Sequence, residues 1–183
     1  MDFIPTELFF FRVFRAFRSL LILMKVFLLR HAEAAYGVAD PVRPLTENGR
    51  RMAAGLADFL NGNPYFRYTE IWCSPYLRAR QTAEPFIERN GRARELVTME
   101  DLVPHGDPAV LADCLAKSRK PVLVVGHNPH LSRVARRLLG LDRHDGSLHF
   151  KKCCLFAFQR DSSSPTRFTL AACLPPGSVG LKS

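Results

Sequence analysis

Short apolar runs alternate along this chain with longer stretches in which apolar residues recur at helical spacing. Lys25–Leu29 is the first run, too short for a helix of its own and β-branched or aromatic at Val26 and Phe27, so it predicts a strand. Thr46 then suits an N-cap and Glu47 a first turn, and Met52, Ala53, Leu56, Phe59 and Leu60 form a buried stripe that Asn61-Gly62-Asn63-Pro64 ends. Glu70–Cys73 predicts a second strand, broken by Ser74-Pro75 and followed by a helix over about Leu77–Arg89. Arg94–Val97 predicts a further short strand, and Asp107 caps a helix through Lys117 with Val110, Leu111, Cys114 and Leu115 facing inward. Pro121–Val125 is apolar on both faces, as a buried parallel strand is, and ends in Gly126-His127-Asn128-Pro129. Leu131, Val134, Ala135, Leu138 and Leu139 mark the next helix. Cys153–Phe158 and Arg167–Leu174 predict two late strands joined by a hairpin loop over 161–165. Such alternation predicts an α/β fold, a three-layer α/β/α sandwich with a mostly parallel central sheet.

Residues 1–23 differ from the rest. Leu8–Leu23 is very apolar, but Arg12, Arg15 and Arg18 interrupt it. A central arginine costs about 2.5–3.5 kcal/mol in a membrane span, so a transmembrane helix is disfavoured. The three arginines share one helical face opposite a face of phenylalanines, the pattern of a helix lying in a membrane interface. Alternatively, Met24 is a natural start and residues 1–23 are an upstream extension. Asp2, Glu7 and the lack of a small-residue cleavage site disfavour a signal peptide. The expected organisation is therefore an extension over 1–23, one domain over 24–175 and a loose tail over 176–183.

Composition adjusts this picture only a little. The 183 residues, 47% of them hydrophobic, suffice for one core, and a net charge of +9 suits an anionic substrate. No zinc spacing, RNP-like strand or heptad array points to nucleic acid. Five cysteines, an odd number with no C-x-x-C, predict neither a disulfide framework nor a metal site, and fit the cytoplasm.

Chemistry gathers at the predicted strand ends. The first ends at Arg30-His31, the second at Ser74-Pro75 with Arg78 one turn on, and the third at Gly126-His127. In a parallel sheet these ends share one edge, where ligands bind. Two arginines and two histidines with no carboxylate among them call for an anion, and guanidinium forks suit phosphate oxygens.

Four blocks in order, Leu29-Arg30-His31-Ala32-Glu33, Arg43-Pro44-Leu45-Thr46-Glu47-Asn48-Gly49, Ser74-Pro75-Tyr76-Leu77-Arg78-Ala79-Arg80-Gln81-Thr82-Ala83 and Val124-Val125-Gly126-His127-Asn128-Pro129, resemble the histidine phosphatase superfamily. This phosphoglycerate mutase-like family carries R-H-G, S-P-x-x-R-x-x-Q-T and a late G-H, and V-R-P-L-T brings the chain nearest its SixA-type phosphohistidine phosphatase branch. Ala32 stands where R-H-G has glycine, which matters if the position needs a positive φ and not if it needs only a small side chain.

The resemblance implies His31 as a nucleophile that becomes phosphohistidine, its other ring nitrogen held as a donor by a backbone carbonyl. It implies Arg30, Arg78 and His127 around the transferring phosphoryl group, with Arg43 reaching the same oxygens from its loop. No metal or cofactor is implied. His105, His130, His144 and His149 are read as surface or satisfied polar residues. Relatives that cleave phosphate esters usually supply a carboxylate acid in a G-x-W-E-G-like pattern, which is absent here. An alkoxide needs that proton and an imidazole leaves more easily, so a phosphohistidine-bearing protein is the expected substrate. Asp40, Glu100 and Asp101 are the candidate proton sources. The competing expectations are a small-molecule phosphomonoesterase and a noncatalytic phosphate-binding module.

Overall fold

The computed structural model describes residues 25–89, 95–141, 148–164 and 166–176. Expectations for residues 1–23, for Arg94, His144 and Pro165, and for the tail beyond 176 lie outside these residues. Among the described residues six strands form one sheet: β1 (Lys25–Arg30), β2 (Glu70–Cys73), β3 (Glu95–Thr98), β4 (Val122–Gly126), β5 (Leu155–Arg160) and β6 (Phe168–Leu174), in the order β3-β2-β4-β1-β5-β6. β1 pairs with β4, β4 with β2 and β2 with β3 in parallel, while β5 and β6 add an antiparallel edge beside β1.

Four α-helices among the described residues cover the sheet: α1 (Glu47–Leu60), α2 (Leu77–Arg89), α3 (Pro108–Lys117) and α4 (His130–Leu139). Successive strand side chains point to opposite faces, and the buried residues divide accordingly. Phe27 and Leu29 of β1 join Met52, Leu56 and Leu60 of α1 and Ala83 and Phe86 of α2. Val26 and Leu28 join Leu111 and Leu115 of α3 and Leu131, Val134 and Leu138 of α4. This is the three-layer α/β/α sandwich the pattern predicts.

Three local expectations change. Phe59 is 48% exposed and Val110 38% exposed, because each lies a step round its helix from the buried stripe. Strand β5 starts at Leu155, not Cys153, because Cys153 takes a left-handed φ of 56° that ends extended backbone. Its amide instead donates to the carbonyls of Arg30 (3.1 Å) and His31 (3.2 Å), tying that turn to the end of β1. Among the described residues no helix is long and apolar enough to cross a membrane.

Candidate active site

β1 and β4 are adjacent and in register with Arg30 opposite Gly126, so His31 and His127 follow side by side from neighbouring strand tips. Their ring centroids lie 5.0 Å apart. β2 lies on the other side of β4, and the turn after it starts α2, which carries Arg78 into the same place. Arg78 is 4% exposed, and its Nε donates to His31 Nε2 at 3.3 Å. The sheet edge therefore gathers Arg30, His31, Arg78 and His127 as expected.

The His31 ring has a defined tautomer. Its Nδ1 lies 2.7 Å from the carbonyl oxygen of Ala32, which can only accept, so Nδ1 carries the proton. The lone pair is then on Nε2, the nitrogen that receives the Arg78 donor. Ala32 has no positive φ and is fully buried, so this position needs a small side chain and not a glycine backbone.

Burial pushes the His31 pKa down to about 3; the hydrogen bond to Ala32 opposes this, and the charges of Arg78, Arg30 and Lys152 add to it. Burial likewise pushes His127 down to about 2, helped by His31, Arg78, His130 and Arg30. Both rings are neutral near pH 7 in the folded chain. An unfolded histidine titrates at 6.5, so below that pH the unfolded state takes up protons that the folded state refuses. The stability conferred by these neutral rings is complete above pH 6.5 and is lost as pH falls from there toward about 3. The urea midpoint is expected to drop steeply over this window, with a proton-uptake slope approaching two. Burial also lowers the pKa of His130, which adds to the slope. A midpoint flat from pH 6.5 downward, or a slope unchanged in His127→Asn, would contradict this assignment.

The sequence blocks act as supports for these side chains. Thr82 Oγ1 donates to the carbonyl of Arg78 (2.6 Å) and accepts from the amide of Ala32 (3.0 Å), coupling the first turns of α2 to the residue after His31. Gln81 Oε1 accepts from the amide of Leu45 at 2.7 Å. Glu33 is clamped by Thr46 Oγ1 at its carboxylate (2.7 Å) and by Asn48 Nδ2 (3.4 Å), while its carbonyl accepts from the Thr46 amide (3.0 Å). A Cβ on Gly49 would stand 2.1 Å from the Glu33 carbonyl oxygen, so only glycine lets α1 approach this segment. Ser74, Gln81, Thr82 and Tyr76 were legible only as letters of a block, with no sign of what each would touch.

The strand ends bring no carboxylate of their own, but the loop after Glu33 adds one: Asp40, at the first residue of a 3-10 turn. Arg78 Nη1 donates to the Asp40 carbonyl (2.6 Å) and Nη2 to Oδ2 (3.1 Å). Arg43 Nη1 donates to Oδ1 (3.0 Å), and its Nε to the carbonyl of Ala35 (2.8 Å). Arg43 thus stands one carboxylate away from Arg78. The Asp101 charge opposes the lowering of the His130 pKa, and Glu100 is exposed. His130 is fully buried, not a surface residue. Among the described residues no grouping of three or more His, Cys, Asp or Glu side chains could hold a metal ion.

A mostly parallel sheet whose edge holds two neutral histidines and two arginines offers a cradle for a tetrahedral oxyanion beside a nucleophilic nitrogen, the equipment of a phosphoryl-handling protein. Comparison with known proteins agrees. Residues 26–103 match the family model of the histidine phosphatase superfamily (branch 1). The chain is 33% identical over 111 residues to the phosphohistidine phosphatase SixA of Escherichia coli (strain K12), a match that spans 58% of this chain and 68% of that one. The structure of the protein histidine phosphatase SixA complexed with tungstate superposes with a TM-score of 0.75 at 25% identity, covering 85% of this chain and 99% of that one. A phosphoserine phosphatase from Entamoeba histolytica, in complex with 3-phosphoglyceric acid, shares the fold at a TM-score of 0.61 and 18% identity, over 82% of this chain and 96% of that one. The chain belongs to the histidine phosphatase superfamily, in its SixA-type branch, and is a phosphatase.

Proposed function

We propose that this phosphatase removes the phosphoryl group from a phosphohistidine borne on a protein, through a covalent intermediate on His31. The observation that carries the reading is the state of the His31 ring: proton on Nδ1, lone pair on a buried Nε2, and a guanidinium beside that nitrogen. A neutral imidazole so held attacks phosphorus in line while the P–N bond to the substrate breaks. Water then hydrolyses the phosphorylated ring and restores His31.

Arg30, Arg78 and His127 hold the phosphoryl oxygens and offset charge in the transition state. Arg30 Nη1 is anchored on the carbonyl of Phe150 at 2.7 Å, and its buried Nε has no protein partner. His127 Nε2 lies 2.8 Å from Ser74 Oγ, a hydroxyl that already accepts from the amide of Tyr76. His127 Nδ1 is a second buried atom without a protein partner. Arg43, which shares the Asp40 carboxylate with Arg78, extends this cradle from its loop.

Two features favour a protein-borne substrate. The loop that carries Asp40 and Arg43 presents Tyr36 (81% exposed), Val38 (53%) and Val42 (58%) to solvent. Arg43 lies 5.1 Å and Lys152 6.0 Å from the Tyr36 ring, giving an apolar, basic platform suited to an acidic protein surface. The alternatives, a phosphomonoesterase for small esters and a noncatalytic phosphate binder, are separated by one set of assays. A radiolabelled phosphohistidine protein should lose its label at least about 100-fold faster, per kcat/KM, than nitrophenyl or sugar phosphates react. Acid-quenched enzyme should carry label on His31. Preference for the esters would establish the first alternative, and binding without a covalent adduct the second.

A further inference from the structure

Asp40 is an acidic side chain that the fold brings to this cation cluster, and it stands on the same guanidinium as the attacking nitrogen. Arg78 touches His31 Nε2 with Nε and Asp40 with both Nη atoms. Around the carboxylate are Arg78 from α2 and Arg43 from the same loop, with Arg30, His31 and His127 beyond Arg78, while Lys152 acts on His31 and Glu33. The neighbouring carboxylate of Glu33 is engaged by Thr46 and Asn48. Burial tends to raise the Asp40 pKa, but the bonds and charges of Arg78 and then Arg43 outweigh it and hold the group below the usual carboxylate range. The side chain remains 49% exposed, and each carboxylate oxygen has lone-pair capacity beyond its single arginine bond.

We propose that ionised Asp40 selects phosphohistidine over phosphate esters by holding positive charge on the substrate's own imidazole ring. The inference rests on the phosphohistidine reading and names the group that would give it its specificity. In the reaction, the His31 Nε2 lone pair forms the new bond to phosphorus, and the electrons of the P–N bond return to the substrate nitrogen. If the other nitrogen of that ring already carries a proton, the ring departs as neutral imidazole and no proton need move. Without it, the ring would depart as an imidazolate. A carboxylate beside the ring favours the protonated form. An ester gains nothing, since its bridging oxygen is not protonated in advance near neutral pH and an ionised Asp40 has no proton to give. Asp40 is then a charge partner for the leaving group and not the general acid that its place among the candidate proton sources suggested.

The test compares kcat/KM for a phosphohistidine peptide and for nitrophenyl phosphate in wild type, Asp40→Asn and Asp40→Glu between about pH 6 and about pH 8. Loss of one unit of substrate-ring pKa is tenfold in its protonated fraction above that pKa. The phosphohistidine-to-ester ratio should therefore fall about tenfold in Asp40→Asn at about pH 8 and return toward the wild-type ratio at about pH 6, where solvent protonates the ring. Asp40→Glu should recover much of the ratio. A ratio unchanged by Asp40→Asn overturns the proposal, including the case in which both substrates slow equally because Arg78 has lost its anchor. A wild type inactive on phosphohistidine would instead refute the substrate assignment, so the two failures are told apart.

Discussion

His31→Ala is expected to remove phosphohistidine turnover by on the order of 10⁴-fold or more while leaving much of the affinity for a tetrahedral oxyanion. The two effects separate because different groups carry them. Attack needs the lone pair on His31 Nε2, and no other neutral nitrogen in the cluster is held with its proton on a carbonyl and its lone pair beside Arg78. His127 is not held in this way, its Nε2 lying on the Ser74 hydroxyl instead. Anion binding rests on the guanidinium groups of Arg30 and Arg78, which the mutation leaves in place. Steady-state assays with a labelled phosphoprotein, beside titration with tungstate or phosphate, read the two quantities independently. A mutant that retained a tenth of wild-type turnover would remove His31 from the covalent step.

Arg78→Ala should show the opposite balance: kcat/KM down by about 10²–10³, with oxyanion affinity falling as well. Three contacts disappear together, one to His31 Nε2 and two to Asp40, so the variant frees the 40–43 loop at the same moment that the site loses a cation. Arg78→Lys keeps the charge but cannot hold His31 and Asp40 with one planar group, and should recover only a small part of the loss. Full rescue by lysine would mean that charge alone matters and that the fork has no role. The comparison has force because Arg78 is buried: its geometry is set by packing and by the Thr82 hydroxyl on its carbonyl, not by solvent.

How much of this was legible beforehand differs from one residue to the next. Pro121–Val125 announced a central parallel strand because a strand covered by helices on both faces must be apolar on both, and its partners β1 and β2 flank it as that requires. The convergence of His31, Arg78 and His127 followed from the rule that parallel strands end on one edge. Phe59 and Val110 were misread because residue type alone does not distinguish the centre of an apolar stripe from its margin. Cys153 was misread because its left-handed backbone leaves no mark in a run of apolar letters. Asp40 stands in the sequence as a candidate proton source, and its pairing with Arg78 and Arg43 is visible only in the fold.

Taken alone, the amino-acid order determined the layers, the parallel sheet and which side chains stand at its active edge. These depend on periodicity and on chain direction, both local properties. Only the tertiary structure decided the tautomer of His31, the proton-poor state of both buried imidazoles and the bridge from Asp40 to a residue 38 positions away. Such features come from desolvation and from bonds between segments distant in the chain, and neither is written in any one stretch of it.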